Sequence, residues 1–317
     1  MYSEKIFKLA SDITENICRV IYGKENEIRF VITALLSGGH VLLDDIPGTG
    51  KTTLAKALAR SISADSKRIQ FTPDLLPSDI TGVNYYNQKN ADFVFRRGPV
   101  FTNILLADEI NRTTPRTQSA LLECMEEHQA TVDGVTYPLA ADGPFFVIAT
   151  QNPIESQGTF PLPEAQLDRF LMKLSLGYPE RSAEIAVLSG YGDKNPLDSL
   201  SAVCTKADIM TACENVRKIT VSDPIKGYIV DIANATRDNE RLRLGASPRA
   251  SLALMRASQA YAAISGRDFV IPDDVKKTAV LVLSHRVITR SSNTIHLSDT
   301  SEQTVEYIVD TVKAPID

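Results

Sequence analysis

The chain is 317 residues long, 43% hydrophobic and 23% charged, with a formal net charge of −5 and an isoelectric point near 5.5. One hydrophobic core seldom grows past about 250 residues, so this length predicts two packed units. The acidic balance counts against nucleic acid as the main partner, since a duplex-coating surface is usually basic, though it leaves room for local basic patches. Cys18, Cys124, Cys204 and Cys213 lie far apart without Cys-x-x-Cys spacing, which argues against a zinc site or a disulfide framework. No apolar run approaches the roughly 20 residues of a membrane span, and the amino terminus carries no signal-peptide core. A cytoplasmic chain without a membrane span is expected.

In chain order, Ile6, Leu9, Ile13 and Ile17 recur every three or four residues and predict a helix over 3–20, with a second over 25–37. Val41-Leu42-Leu43 reads as a short strand. The glycine turn Pro47-Gly48-Thr49-Gly50 follows it, and then a helix marked by Leu54, Leu58 and Ile62. Four more strands are expected at 68–71, 103–107, 145–150 and 172–176. The middle two are almost wholly apolar, as strands covered on both faces are. The fold class expected is therefore α/β, with a five-stranded parallel sheet between helices. Two hairpins interrupt the alternation. In the first, Tyr85-Tyr86 and Phe93-Val94-Phe95 flank a polar turn; in the second, Thr131-Val132 and Val135-Thr136 flank Asp133-Gly134. Gly177-Tyr178-Pro179-Glu180 breaks the pattern, and 190–200, with Gly190, Gly192 and Pro196, reads as an exposed connection. Helices dominate from about 205 onward, apart from a short extended piece at 268–271. Residues 1–180 are thus expected to form the α/β core with two hairpin insertions, and 181–317 a smaller all-α lid.

The strongest chemical signal is Pro47-Gly48-Thr49-Gly50-Lys51-Thr52-Thr53, placed between a strand and a helix. A phosphate cradle needs several backbone N–H groups aimed at one point, and glycine permits the angles and the close approach. The helix beginning near Lys51 adds its positive end. Lys51 is expected to reach the β- and γ-phosphates of ATP, and the Thr52 hydroxyl to ligate Mg2+. Asp45 stands where the motif's first glycine is usual, which would alter the turn into the loop.

A second signal is Asp108-Glu109, at the end of the apolar strand Asn103-Ile104-Leu105-Leu106-Ala107. Carboxylates at the carboxyl end of a parallel strand lie where open α/β sheets bind ligands. Neighbours on a strand point opposite ways, so Asp108 would hold the Mg2+ shell while Glu109 polarises the attacking water. The strand carrying them is expected beside the phosphate-loop strand. A solvated acidic strand end is the alternative.

In combination, several segments resemble the MoxR family of AAA+ ATPases. They are Asp108-Glu109-Ile110-Asn111-Arg112, Gln118-Ser119-Ala120-Leu121-Leu122-Glu123, Ala149-Thr150-Gln151-Asn152-Pro153, Leu162 to Phe170, and Gly245-Ala246-Ser247-Pro248-Arg249. The resemblance runs from about Ile21 to about Arg286 and makes Asp45 ordinary. It implies that Asn152 is the first sensor of the γ-phosphate, at the end of a strand beside the phosphate-loop strand; a plain Asn-Pro turn is the alternative. Arg169 becomes a finger reaching the neighbouring subunit's γ-phosphate, against an intrachain salt bridge with Asp168 or Glu164. Arg112 is a second basic candidate at that edge. Arg249 becomes the second sensor, touching bound nucleotide from the lid. By local physics Ser247 suits an N-cap and Pro248 the first helical position, so a cation next to them is unfavourable unless an anion sits there; a solvated surface arginine is the alternative. Ile21-Tyr22-Gly23 matches where the family packs adenine.

The resemblance also implies a ring, a hexamer, and chaperone-like remodelling or maturation of a protein partner, with von Willebrand factor A-domain proteins as associates. In related groups the hairpin insertions touch substrate; sheet-edge decoration is the alternative. A nucleic-acid motor akin to helicase subunits is the competing output. The acidic balance and a 127–138 segment poor in lysine and arginine speak against it, and salt-sensitive DNA stimulation of ATPase activity would reveal it.

Overall fold

The computed structural model describes residues 2–152, 158–190, 196–290 and 300–315. Two helices open the chain, α1 (Tyr2–Cys18) and α2 (Glu25–Leu36), where the apolar spacing places them. Strand β1 (Val41–Asp44) leads through the glycine loop into α3 (Lys51–Ser61), followed by β2 (Ser66–Gln70). A short helix α4 (Pro77–Thr81) precedes the first hairpin, β3 (Gly82–Asn87) and β4 (Asp92–Arg97). Then come β5 (Ile104–Asp108), a 3-10 turn at Ile110–Arg112, α5 (Pro115–Glu127), and the second hairpin, β6 (Gln129–Val132) and β7 (Val135–Pro138). Strand β8 (Phe146–Gln151), the one-turn α6 (Glu164–Leu167) and β9 (Met172–Leu174) complete the core. Beyond lie α7 (Arg181–Gly190), α8 (Lys206–Val216), α9 (Asp223–Arg237), β10 (Leu242–Leu244) and α10 (Pro248–Ile264). The last elements are α11 (Pro272–Leu283), a 3-10 turn at Ser284–Arg286, β11 (Ile288–Thr289) and α12 (Ser301–Thr311).

Five strands form one parallel sheet in the order β2-β5-β8-β1-β9. The pleat of its three central strands sorts their side chains between two apolar layers. Val41, Leu43, Ile104, Leu106, Phe146 and Ile148 face α1, α2 and α3. Leu42, Leu105, Ala107, Val147 and Ala149 face α5 and the first hairpin's flank. That is why these strands read as continuous apolar runs rather than alternating ones. The edge strand β2 carries Ser66, Lys67 and Arg68 exposed, a charged rim that discourages pairing with another chain.

The first apolar layer continues without a break into the second unit through Ile209, Ile232, Leu254 and Val282. Helix α1, counted with the core by sequence, packs against α10 as well as α2 and α3, and its Ser3 N–H donates to Asp268 Oδ1 (3.2 Å). The second unit is helical, as expected, but carries a two-stranded antiparallel ribbon, β10–β11, that the sequence reading did not include. Strands of two and three residues are too short to show a period of two. The extended piece at 268–271 reduces to a single parallel bridge between Thr220 and Phe269. Of the connection at 190–200, Gly192 with the rest of 191–195 lies outside the described residues, as does Pro153.

Candidate active site

Every strand of the parallel sheet points its carboxyl end to one edge, and the phosphate loop leaves β1 there. Gly48 and Gly50 both sit at φ +89°, a region that side chains rarely adopt, so these two positions need glycine for their angles. The space around Gly48 is open, with no atom within 4 Å of where a Cβ would lie. Helix α3 starts at Lys51, and the amides of its first turn line up behind the loop. Lys51 Nζ donates to the Asp45 carbonyl (3.0 Å). The Asp45 carboxylate accepts from Ser175 Oγ (2.9 Å), Leu176 N (2.6 Å) and Gly177 N (3.0 Å). In place of the usual glycine it thus fastens the loop's entry to the chain leaving β9. Ile21 Cδ1 comes within 3.5 Å of the position a Gly50 Cβ would take, and a Cβ on Gly23 would meet Ala183 of α7 at 2.9 Å. The 21–23 segment therefore lies between the phosphate loop and α7.

Asp108 closes β5, buried at 9% exposure. Its Oδ1 accepts from Thr150 Oγ1 (2.6 Å), and its Oδ2 from Arg68 Nη2 (2.7 Å) and Nε (3.1 Å). The expectation that β5 adjoins β1 is corrected: β8 runs between them and brings Thr150 and Asn152 to the gap. Nor does the strand pleat alone separate the two carboxylates. The strand stops at Asp108, and Glu109 adopts a left-handed backbone (φ 58°, ψ 51°), costly for a residue with a Cβ by roughly 1–3 kcal/mol. Its N–H donates to Thr150 Oγ1 (2.9 Å), and its Oε2 accepts from Gln70 Nε2 (2.8 Å) and pairs with Arg112 Nε (3.0 Å). Asn152 is buried one residue beyond β8, close to the loop because Asp45 N donates to the Gln151 carbonyl (3.2 Å). The phosphate loop, Asp108, Glu109 and Asn152 thus share one edge.

Arg169 and Arg249 do not join them. They line a cavity with Gly38, Gly39 and His40, which precede β1, at the amino edge of the sheet. Even the four residues of β1 span about 13 Å, beyond the reach of an arginine anchored past the other end. Within one chain Arg249 therefore stands apart from the phosphate loop, because α10 begins beside the last turn of α5. Ser247 does cap α10, its Oγ accepting from Ala250 N (3.2 Å). Arg249 Nη2 donates to Glu126 Oε1 (3.0 Å), and its Nε lies 3.7 Å from Asp168 Oδ2. Arg169 Nε pairs with Glu126 Oε2 (3.1 Å) rather than with Asp168 or Glu164. Asp168 Oδ1 instead accepts from buried Arg286 Nε (2.6 Å).

Four contributors escaped the sequence reading: Arg68, Gln70, Glu126 and Thr150. Only Thr150 left a signal, a hydroxyl at the end of an otherwise apolar strand, fully buried and so obliged to find partners. The others act through strand order and chain crossing.

The chain matches a family model described as "ATPase family associated with various cellular activities (AAA)" over 40–172, and an AAA lid domain over 234–307. It is 50% identical to the uncharacterized protein YeaC of Bacillus subtilis over 99% of this chain and 98% of that one. It is 41% identical to chaperone MoxR1 of Mycobacterium tuberculosis over 85% of this chain and 73% of that one. A crystal structure of a candidate ATPase from Cytophaga hutchinsonii superposes with a TM-score of 0.90 at 37% identity, covering 99% of this chain and 97% of the other.

Proposed function

Because this chain belongs to the MoxR family of AAA+ ATPases, we propose that its ATP hydrolysis works through a ring of subunits to remodel or mature a client protein. The observation that carries the nucleotide chemistry is the meeting of the phosphate loop, Asp108, Glu109 and Asn152 at one edge of the sheet. Amides from Gly48 to Thr52 would hold the phosphates, with Lys51 leaving the Asp45 carbonyl to take them. Pro47 and Thr49 shape that loop, Thr53 continues its helix, and Ile21, Tyr22 and Gly23 would flank the base.

Thr52 and Asp108 offer hard oxygen donors of the kind Mg2+ prefers, so the residues present fit that ion. Bound there, magnesium would neutralise charge on the phosphates. Glu109 is the base that takes the proton of the attacking water, and Asn152 orients that water. The Oε2 of Glu109 is held by Gln70 and Arg112 in this arrangement, so both contacts would loosen before the carboxylate can serve the water.

Arg169 and Arg249, remote from their own chain's loop, would serve a phosphate carried by a second copy, which makes a hexameric ring the working species. A von Willebrand factor A-domain protein is the associate this family membership suggests. The four free cysteines, whose thiols burial raises to about 11 or 12, suit the reducing cytoplasm. Among the described residues no helix is long and apolar enough to cross a membrane.

Two variants test the nucleotide reading. Lys51→Ala should lose ATP binding, whereas Glu109→Gln should bind ATP normally and hydrolyse it at least ~100-fold more slowly. Isothermal titration together with phosphate release separates the two effects, and an equal loss of binding in both variants would contradict the assigned roles.

A further inference from the structure

At the amino edge of the sheet a cavity opens between the two units, lined by His40, Glu126, Asp168, Arg169, Arg249 and Arg256 among others. With Arg286 in its wall it gathers four guanidiniums against two carboxylates, an excess of two positive charges. Arg286 is committed to Asp168 and to the carbonyls of Phe170 and Leu171. Arg256 has no acidic partner among the described residues, so the unbalanced charge lies toward the mouth. A cavity of that sign suits a multiply charged anion.

Two guanidiniums side by side repel, and here one carboxylate bridges them, while Asp168 Oδ2 lies at a longer 3.7 Å from Arg249 Nε. Glu126 Oε2 lies 3.1 Å from Arg169 Nε, and its Oε1 accepts from Arg249 Nη2 at 3.0 Å. Arg169 meets that carboxylate at Nε, and among the described residues its terminal nitrogens make no hydrogen bond, so they can turn to another acceptor. Glu126 is itself held from behind. It follows Met125 in the last turn of α5, and the Met125 carbonyl accepts from Nε2 of buried His40 (3.0 Å). His40 Nδ1 accepts from the Val147 amide (3.1 Å), so the ring's proton sits on Nε2. The entry to β1, strand β8 and the end of α5 are thereby joined, and the carboxylate leaves that joint toward the two arginines.

We propose that Glu126 is the positioning residue of a two-arginine clamp. Its single carboxylate sets Arg169 and Arg249 at the spacing at which both can grip one phosphate group, the terminal phosphate of ATP bound to a second copy of this chain. This rests on the trans action of Arg169 inferred above. Glu126 would touch no nucleotide and act only through the arginines.

Glu126→Gln removes the charge that bridges the two guanidiniums, and misplacing a transition-state group by about an ångström can lower a rate ~100-fold. Expected is a fall in kcat of ~10-fold or more, with KM for ATP and thermal stability close to wild type, because the variant's own loop is intact. Mixed with Lys51→Ala, which keeps its arginines but binds no ATP, Glu126→Gln should recover activity. Mixed with Arg169→Ala it should not, since both variants are defective on the same face. Wild-type turnover in Glu126→Gln overturns the inference. So does failure to recover with Lys51→Ala in mixtures where Arg169→Ala and Lys51→Ala rescue each other. If that reference pair also fails, trans action falls first and the inference with it. Should Glu126→Gln not fold, Glu126→Asp, which keeps the charge but withdraws it by one methylene, goes through the same mixtures with the same outcomes deciding.

Discussion

His40 shows how one buried residue carries both packing and pH sensitivity. Burial disfavours its imidazolium and lowers its pKa to about 4, with the Met125 carbonyl opposing that shift and His128 adding to it. The unfolded chain takes up that proton near 6.5. Between those values the unfolded state binds more protons than the folded one. Stability is therefore full above about pH 6.5 and falls as pH drops toward 4. His285, buried against the Phe170 carbonyl and also lowered well below its usual value, adds with the same sign. From pH 7 to pH 5, His40 alone should cost about 2 kcal/mol. Thermal melts at pH 7, 6 and 5 check this, with His40→Gln expected to show the shallower dependence; equal slopes would remove the assignment. Glu109 illustrates a different lesson. The pair Asp108-Glu109 is plain in the sequence, but the left-handed turn that sends Glu109 away from the strand is not.

Among elements, the 3-10 turn at Ser284–Arg286 is the joint between lid and sheet. Arg286 sends donors to Asp168, Phe170, Leu171 and Val282, closing α11 against the start of β9. Replacing it with methionine would keep the bulk but leave the Asp168 carboxylate with only the longer contact to Arg249 (3.7 Å) and strand several carbonyls. Loss of one partner of a buried ion pair costs about 3–5 kcal/mol. Urea denaturation of Arg286→Met should show a loss of about 3 kcal/mol or more; a change below about 1 kcal/mol would mean the turn is held by apolar packing alone. The hairpins teach the complementary point. Their turns were legible, because polar and Asp-Gly turns between β-formers are local signals. Their union was not: Phe95 stacks on Tyr137 at 4.2 Å, and Asn84 donates to Asp133 (2.8 Å), which makes the two hairpins one projection. Tyr86 and Phe93 remain exposed upon it.

For the whole molecule, the two halves of the proposed chemistry lie on opposite edges of one sheet. A single chain therefore presents its phosphate loop at one edge and its arginine pair at the other, the geometry of a head-to-tail interface that closes into a ring when its rotation allows. Binding of ATP that is not hydrolysed should favour assembly, since the clamp then has an anion to hold. Glu109→Gln with Mg-ATP should sediment as a ring, and Lys51→Ala at the same concentration as a smaller species. Identical sedimentation of the two, with and without ATP, would detach assembly from the nucleotide.

By itself the sequence determined the chemistry that is local in the chain. The loop Pro47–Thr53, the carboxylates after a buried strand, the N-cap at Ser247 and both hairpin turns all follow from neighbours within a few residues. What only the tertiary structure decided is how distant segments meet. The β8 strand enters between β1 and β5, Arg68 and Gln70 reach the acidic pair from β2, and Glu126 draws Arg169 and Arg249 to the far edge. Strand order and helix crossing come from burying apolar layers through the whole core, a cooperative choice that leaves no periodicity at the polar positions it brings together.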